Sequence, residues 1–273
     1  MCRRGTLLFG LISLLWASGA EATCSGSGTT WNCGAGTTSA QISMALSSAA
    51  DGATLTFAAG SYSWNSFVSF DNTKGVTLIC ATAGSCNVSA SGTVLGMNGN
   101  LSGTNGKLYR ISGFNFTQTA SAYGVIWFYG SGTMQQVRVD HNTFNLPNAG
   151  VGVFFGDVDN APQFYGVIDH NAFTSSGSIG AFQYIGSQPT AIIPSPPGTA
   201  NNLFFEDNTI TITTMDNAGF GCMDIQGGQG VVYRHNTSLN CLIASHGVTH
   251  SGGPPNFELY NPASRSVQMA DVK

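Results

Sequence analysis

The segment Val137-Arg-Val-Asp-His-Asn-Thr-Phe144 decides the fold, because close variants of it recur along the chain. In each variant, apolar and polar residues alternate and a polar turn follows, which is typical of a β-strand that ends in a turn. The other copies are Gly166-Val-Ile-Asp-His-Asn-Ala-Phe173, Leu203-Phe-Phe-Glu-Asp-Asn-Thr-Ile210 and Val231-Val-Tyr-Arg-His-Asn-Thr-Ser238, with Tyr109-Arg-Ile-Ser-Gly-Phe-Asn-Phe116 as a weaker member.

A second apolar segment that ends in glycine lies between successive copies of the first. Two strands per period, joined by turns too short for crossover helices, predict a β-solenoid whose coils stack about 4.8 Å apart. The copies of this second segment are Val125-Ile-Trp-Phe-Tyr-Gly130, Val151-Gly-Val-Phe-Phe-Gly156, Ala181-Phe-Gln-Tyr-Ile-Gly186 and Cys222-Met-Asp-Ile-Gln-Gly-Gly228.

An asparagine follows the first strand in every copy. At a fixed turn position, an asparagine can hydrogen-bond to the same turn of the next coil, so these residues predict a buried ladder. A β-sandwich is the alternative fold, but it would not place asparagine after the same strand in each repeat. The ladder is predicted to contain Asn142, Asn171, Asn208 and Asn236, with Asn115 as its weaker member.

Composition excludes several classes of protein. Only 8% of the residues are charged, against roughly 25% in ordinary globular proteins. The hydrophobic fraction of 42% argues against an intrinsically disordered chain. Nine Lys and Arg residues against 13 Asp and Glu residues leave no basic surface for nucleic acid.

The first residues are typical of a secretory signal peptide. Arg3 and Arg4 precede the apolar stretch from Leu7 to Trp16, and Ala20-Glu-Ala22 fits a cleavage site. A membrane anchor is the alternative, but the apolar stretch is shorter than the roughly 20 residues that a spanning helix needs. We therefore predict export to the extracellular space or the periplasm, where disulfides form.

Six cysteines remain once the signal peptide, with Cys2, is removed. Six cysteines allow 15 pairings. The spacing favours Cys24–Cys33, Cys80–Cys86 and Cys222–Cys241, because each of these bonds would close a short loop. No C-x-x-C motif or Cys/His cluster indicates zinc, so we interpret the cysteines as structural.

A short helix is predicted where the mature chain begins. The segment from Thr38 to Ala49 places Ile42, Ala45 and Leu46 on one face, with Thr38 or Ser39 as the N-cap. A helix at this end would cover the open edge of the first coil, which solenoids require.

Several segments resemble a known superfamily. Gln41 to Trp64 and Lys74-Gly-Val-Thr-Leu78 resemble the opening of secreted right-handed parallel β-helix proteins of the pectate-lyase-like superfamily. Arg234-His-Asn-Thr, Ser245 to Gly253 and Phe257-Glu-Leu-Tyr-Asn261 resemble bacterial β-helix-repeat proteins within it. The resemblance implies an all-β, right-handed parallel β-helix with an N-terminal capping helix. It leaves the activity open, because the superfamily contains lyases, hydrolases, esterases and proteins with no known reaction.

These observations divide the chain into three parts. Residues 1–22 are the predicted signal peptide, and residues 23–261 are the predicted β-helix domain. Residues 262–273 depart from the repeat, because Pro262 stands where the pattern calls for another turn residue and proline cannot donate to a β-ladder. We predict an atypical C-terminal tail, either truncated or acting as a cap.

The second strand of each coil predicts a sugar-binding surface. When these strands are aligned on their terminal glycines, Phe128 and Phe154 point inward and aromatic and amide side chains point outward. Aromatic faces stack on sugar rings, and amides bind hydroxyl groups. The alternatives are a sheet covered by a loop, or a bulge that reverses every side chain. The predicted substrate-binding residues are Trp127, Tyr129, Phe155, Gln183, Gln226 and His250.

The first strand of each coil predicts a column of ionisable side chains. Asp140, Asp169, Glu206 and Arg234 occupy equivalent positions, and a histidine or an aspartate follows each of the four. Carboxylates stacked about 4.8 Å apart repel one another. They would have raised pKa values, bind a cation such as Ca²⁺, or pair with Arg234. A simpler interpretation is that Asp and His form hydrogen bonds within the turn.

The predicted catalytic cluster consists of Asp224, Arg234, His235, His246 and Glu258. Cleavage of a uronate by a lyase needs a group that neutralises the carboxylate, a base and an acid. Arginine binds carboxylates in bidentate fashion, and histidine suits proton transfer at neutral pH. A plain Arg234–Glu258 salt bridge is the alternative.

The sequence thus predicts a monomeric protein that acts on polysaccharide, without nucleic acid or a membrane span. The main hypothesis is a polysaccharide lyase or glycoside hydrolase that cleaves an acidic polysaccharide, with Ca²⁺ as a candidate cofactor. The alternative is a non-catalytic glycan-binding or cell-surface solenoid.

Overall fold

The computed structural model describes residues 23–120, 124–147, 150–156, 163–176, 180–185, 198–213, 223–226, 230–245, 256–260, 263–264 and 267–270. Side chains are described for most of these residues, but not for 98–104, 183–185, 226, 242, 244–245, 256–260, 263–264 or 267–270. The predicted signal peptide lies outside the described residues.

The described chain is a parallel β-solenoid, which confirms the predicted architecture. One helix, α1 (Ser39–Ser48), lies near its N-terminal end. The strands are β1 (Cys24–Ser27), β2 (Thr30–Cys33), β3 (Ala53–Phe57), β4 (Gly60–Trp64), β5 (Val68–Ser69), β6 (Val76–Cys80), β7 (Cys86–Ala90), β8 (Leu95–Ser112), β9 (Phe114–Gln118), β10 (Ile126–Asp140), β11 (Thr143–Leu146), β12 (Val153–Gly156), β13 (Gln163–Asp169), β14 (Ala172–Ser175), β15 (Phe182–Ile185), β16 (Leu203–Glu206), β17 (Thr209–Ile212), β18 (Met223–Gln226), β19 (Gly230–Arg234), β20 (Thr237–Leu239), β21 (Cys241–Ser245), β22 (Asn256–Tyr260), β23 (Ala263–Ser264) and β24 (Val267–Ala270).

The strands form three faces of the solenoid. Face A contains β2, β3, β6, the C-terminal parts of β8 and β10, and then β13, β16, β19 and β22. Face B contains β5, the N-terminal parts of β8 and β10, and then β12, β15, β18, β21 and β24. Face C is a separate sheet of β4, β7, β9, β11, β14, β17, β20 and β23. Because β8 and β10 each run through both, faces A and B join into one sheet.

The asparagine ladder is confirmed. Asn142, Asn171, Asn208 and Asn236 are at most 2% exposed. The Asn142 backbone N–H donates to Asn171 Oδ1 at 2.9 Å, and the Asn171 N–H donates to Asn208 Oδ1 at 2.9 Å. The Asn208 N–H donates to Asn236 Oδ1 at the same distance. Each amide therefore satisfies polar groups that the turn would otherwise bury without partners.

Asn115 does not belong to this ladder, which corrects its predicted place in the repeat. It pairs with Thr143 on face C, and its Nδ2 donates to the Gly84 carbonyl and to Asn87 Oδ1. Phe114 occupies the ladder position instead, and its N–H donates to Asn142 Oδ1 at 3.0 Å. The ladder thus ends on a backbone donor.

The residue before each ladder asparagine has a left-handed backbone conformation. The φ angles of His141, His170, Asp207 and His235 lie between 53° and 56°. Asn, Asp and His are the non-glycine residues that adopt this region most readily. The sharp turn between faces A and C therefore explains why His or Asp precedes Asn in every copy.

The interior of the solenoid contains stacked aromatic rings. The Phe144 and Phe173 rings are 4.8 Å apart and nearly parallel, and Phe128 lies 5.2 Å from Phe155. Farther along the chain, Phe205 stacks on Tyr233 at 5.7 Å. Inward-facing residues of successive coils therefore pack on residues of the same kind, which aligns the coils in one register.

The predicted N-terminal helix and two of the three predicted disulfides are confirmed. Thr38 is the N-cap, and Gln41 completes a capping box with it. The apolar face of Ile42, Ala45 and Leu46 is buried. Disulfides join Cys24 to Cys33 and Cys80 to Cys86. Cys241 is also disulfide-bonded, while its predicted partner, Cys222, lies outside the described residues.

The chain continues beyond Pro262 in two short strands. β23 pairs with β20 on face C, and β24 pairs with β21 on face B. The backbone of the predicted tail thus extends the solenoid. No helix in the described part of the chain is long and apolar enough to cross a membrane.

Candidate functional site

The outward side of face A carries a ladder of ion pairs centred on Asp140. The Asp140 side chain is fully buried, and the Arg110 guanidinium holds both of its oxygens at 2.7 and 2.6 Å. The Ser112 hydroxyl donates to Asp140 Oδ2 at 2.9 Å, and His141 Nδ1 contacts the same oxygen at 2.9 Å. Arg138 Nε lies 3.6 Å from Oδ1. A buried carboxylate is thus surrounded by donors.

The same arrangement recurs one coil later around Asp169. The Arg138 guanidinium holds both oxygens of Asp169 at 3.1 and 2.8 Å. His170 Nδ1 contacts Asp169 Oδ2 at 2.9 Å. The His141 and His170 rings stack with their centroids 5.0 Å apart and their planes 3° from parallel. Arginine, aspartate and histidine therefore form a repeated unit rather than isolated contacts.

These contacts lower the pKa of Asp140. Burial alone would raise it, but the hydrogen bonds from Arg110, His141 and Ser112 outweigh burial, and the pKa falls below its ordinary value. In turn, the hydrogen bond to Asp140 raises the pKa of Arg110, and the hydrogen bond to Asp169 raises the pKa of Arg138. The Asp140 carboxylate and the guanidiniums of Arg110 and Arg138 are charged at neutral pH.

Arginine neutralises the carboxylates that we had predicted to bind Ca²⁺. Asp140, Asp169 and Glu206 each form an ion pair with an arginine. Among the described residues, no group of three or more His, Cys, Asp or Glu side chains is placed to hold a metal ion. Repulsion between stacked carboxylates does not raise the pKa of Asp140, because a guanidinium lies between successive coils. Hydrogen bonding within the turn, the simpler interpretation, is confirmed for His141 and His170.

Arg234 pairs with Glu206 in the preceding coil. Its Nε donates to Glu206 Oε2, and its Cζ lies 4.7 Å from the centroid of the Phe204 ring. The predicted alternative, a salt bridge to Glu258, involves a side chain outside the described set. The β22 backbone places Glu258 opposite Val232 and Tyr260 opposite Arg234.

The Arg234–Glu206 contact predicts a measurable coupling energy. We expect Arg234→Met and Glu206→Gln each to lower the free energy of unfolding by about 1 kcal/mol, since the pair is half-exposed. The double variant should lose less than the sum of the single variants, with a coupling of about 0.5 kcal/mol or more. Urea denaturation of the four proteins measures the cycle, and strictly additive losses would contradict the contact.

The other members of the predicted catalytic cluster are placed only in part. Asp224 lies on β18 of face B and is fully buried, not open to solvent as a groove residue would be. His235 is exposed at the turn after β19. His246 lies outside the described residues, and of Glu258 only the backbone is described. Of the five residues, only the neighbours Arg234 and His235 are placed on the surface by the described structure. The cluster of five therefore stays a prediction.

Face B carries the predicted aromatic surface, with one correction. Trp127 and Tyr129 point outward and are half-buried, and their rings stack with centroids 4.1 Å apart. Phe155, however, pairs with Phe128 and is fully buried in the core. Phe154 takes its place in the outward column, although it is only 3% exposed.

The correction arises from the strand register. The hydrogen-bonded register aligns Val153 with Ile126 and Phe155 with Phe128, so that apolar residues continue inward. Alignment on the terminal glycines was therefore wrong by one residue for β12, where such a shift turns every side chain over. For β15 and β18 the alignment was correct, because Gln183 and Asp224 stay level with Trp127. The register places Phe154, Gln183 and Asp224 in one row across face B with Trp127. The side chains of Gln183, Gln226 and His250 lie outside the described set.

The sequence analysis missed the roles of Arg110 and Arg138. Each lies two residues before the aspartate position of its own strand, and therefore on the same outward side. Each reaches forward to the aspartate of the next coil. The sequence did contain a signal for these pairs: an arginine lies two residues before the aspartate position in one repeat, and an aspartate occupies that position in the next repeat.

Comparisons with known proteins add little beyond the fold. No protein-family model matches the chain, and no curated protein matches it. Among solved structures, an alginate lyase from Paenibacillus sp. str. FPU-7 is similar with a TM-score of 0.35 and 12% identity, over 87% of this chain and 100% of that one. A similarity this low does not extend to activity or to individual residues.

Proposed function

We propose that the protein is an extracellular β-solenoid that acts on an acidic polysaccharide lying across the coils on the outward side of face B. The observation that carries this proposal is the stacked pair of Trp127 and Tyr129, which stays half-exposed on a parallel sheet. Aromatic side chains with one apolar face and a polar edge suit sugar rings. The two disulfides are consistent with an extracellular location.

The packing of the two rings limits how a sugar would bind. Each ring covers one face of the other, Phe154 lies 5.6 Å from Trp127, and Phe67 lies 6.2 Å from Tyr129. Trp127 Nε1 also donates to the Gly156 carbonyl at 2.9 Å. The pair is therefore a rigid ridge, and a glycan would contact its outer edges and remaining faces.

Guanidinium N–H donors on the adjoining face, rather than net charge, suit the carboxylates of an acidic glycan. Arg110, Arg138 and Arg234 remain 30%, 41% and 37% exposed, although each is ion-paired. A guanidinium has five N–H donors, so a bidentate pair leaves donors for a second carboxylate. Faces A and B belong to one continuous sheet.

Cleavage would use the predicted catalytic residues Arg234, His235, His246 and Glu258, without Asp224, which is fully buried. A specific observation favours the alternative, a binding solenoid without catalysis: the guanidinium of Arg234 is already engaged by Glu206. Two substitutions separate these functions, because Glu206→Gln and Arg234→Met both break the ion pair, but only the second removes the guanidinium. Loss of cleavage in Arg234→Met but not in Glu206→Gln would show that the Arg234 guanidinium acts on the substrate.

An activity screen tests the proposal. Pectate, alginate and glycosaminoglycans are incubated with the full chain, with and without Ca²⁺, and the absorbance of unsaturated products is followed. Unsaturated products indicate a lyase, and reducing ends without that absorbance indicate a hydrolase. Retention on a glycan column without cleavage indicates a binding solenoid. Neither cleavage nor retention on any acidic glycan would contradict the proposal.

Retention should depend on Trp127. We expect Trp127→Ala to weaken glycan binding about tenfold or more, since burying a large aromatic side chain contributes about 1.5–3 kcal/mol. Leu239→Ala is the matched control, because Leu239 is a 45% exposed apolar residue on face C. The melting temperature of each variant is measured first. Equal retention by the two folded variants would remove Trp127 from the binding surface.

A further inference from the structure

His141 and His170 each have a carboxylate partner of the kind that metal-binding histidines commonly have. Each Nδ1 lies 2.9 Å from an aspartate oxygen, and both side chains are about half exposed, at 50% and 53%. A carboxylate only accepts hydrogen bonds, so Nδ1 must donate the proton. The neutral ring then carries its lone pair on Nε2, on the side of the ring away from the aspartate. Metal-binding histidines commonly donate their other N–H to a carboxylate in this way.

The supporting carboxylates are fixed before any ligand arrives. Asp140 and Asp169 are at most 4% exposed, and each is held by both nitrogens of an arginine fork. Such a second layer of contacts sets the tautomer and orientation of an imidazole and increases its basicity. Because the unit repeats in register, the two rings are parallel, and their Nε2 atoms point in the same direction.

We propose that His141 and His170 together bind one divalent transition-metal ion, Zn²⁺ or Cu²⁺, through their Nε2 atoms, with water completing the coordination. Imidazole nitrogen suits these ions, whereas Ca²⁺ prefers oxygen ligands. The site is therefore different from the calcium site predicted at the carboxylates. It does not depend on the proposed action on polysaccharide.

Binding one ion requires both exposed rings to rotate out of their stacked arrangement. A Zn–N bond is about 2.0–2.1 Å long, so two nitrogens on one ion lie at most about 4 Å apart. The ring centroids are 5.0 Å apart and the ring planes are 3° from parallel, so both rings must rotate about their Nδ1 contacts until the two planes meet at the ion and each Nε2 lone pair points to it. Within the described residues, no third His, Cys, Asp or Glu side chain completes a metal-binding group with them, so solvent must fill the remaining positions.

The local charge does not oppose a cation. Arg110 and Arg138 are each matched by one buried carboxylate, so these four groups contribute little net charge. Asp207 occupies the same turn position in the next coil and is exposed. Its carboxylate adds negative charge beside His170.

The test uses Cu²⁺ and full-length chain in which His246 and His250 are replaced by asparagine, so that these two residues cannot bind the ion. Calorimetric titration should give one Cu²⁺ per chain, and electron paramagnetic resonance should show two nitrogen ligands. His141→Asn or His170→Asn should weaken binding about tenfold or more. Asparagine tolerates the left-handed backbone of these turns, so the variants should fold.

His235→Asn is the matched control. His235 has the same turn position and backbone conformation, but arginine rather than aspartate precedes it. The His235→Asn variant should bind Cu²⁺ as tightly as the parent protein. Unchanged affinity in the His141→Asn/His170→Asn variant, or an equal loss in His235→Asn, would overturn the proposal.

Discussion

Arg110→Met should destabilise the protein by about 3–5 kcal/mol at neutral pH, because it leaves a buried charge without its main partner. Asp140 is fully buried, and Arg110 supplies its bidentate contact. Methionine keeps much of the apolar stem of arginine, so the loss reflects charge more than packing. The free energy of unfolding is measured by urea denaturation at pH 7.

The loss should shrink in acid. The folded pKa of Asp140 lies below its unfolded value, so its stabilising contribution is fully present above an unfolded pKa of about 3.9. That contribution is lost as the pH falls through the lower, folded pKa. The difference between the parent protein and Arg110→Met should therefore narrow below about pH 4. Adding Asp140→Asn to Arg110→Met should restore stability at pH 7, because it removes the uncompensated charge.

Lys107→Met is the matched control for Arg110→Met. Lys107 also forms an ion pair, with Asp51, but their side chains are 42% and 49% exposed. Exposed pairs contribute about 0–1 kcal/mol. Equal losses in the two variants at pH 7, or a loss in Arg110→Met that does not change with pH, would show that the buried charge is not the cause.

Asn171→Ala should cost about 3 kcal/mol, the second-largest effect that we expect. The Asn171 amide donates to the Val139 carbonyl at 2.8 Å and to Asn208 Oδ1 at 3.0 Å. Its Oδ1 accepts from the Asn142 N–H at 2.9 Å. Alanine would leave these groups buried without partners, and each such group costs about 1–3 kcal/mol. The melting temperature should fall by about 6–12 °C in a protein of this size.

Asn145→Ala separates the ladder from a general effect of removing asparagine. Asn145 lies on β11 of face C with an exposed side chain, in register with Thr117 and Thr174. A surface substitution of this kind should change stability by less than about 0.5 kcal/mol. If Asn145→Ala destabilised the protein as much as Asn171→Ala, the ladder would have no special role in the fold.

The sequence by itself determined the solenoid, the ladder, the capping helix and two disulfides. These features depend on local patterns that repeat: alternation within a strand, asparagine at a fixed turn position, and cysteines separated by a short loop. A repeat of this kind leaves few ways to stack, because each coil must cover the apolar face of its neighbour. The left-handed turns explain why His or Asp stands before each ladder asparagine.

Only the tertiary structure decided which residues meet between coils. Phe155 was predicted to face outward, but the inward packing of Phe128 on Phe155 set the register one residue away from the glycine alignment. Arginines of the preceding or following coil reach the carboxylates of Asp140, Asp169 and Glu206. Both outcomes depend on distances between residues about 28 or more positions apart. Local sequence patterns do not fix such distances, because a shift of one residue changes the partner of every side chain.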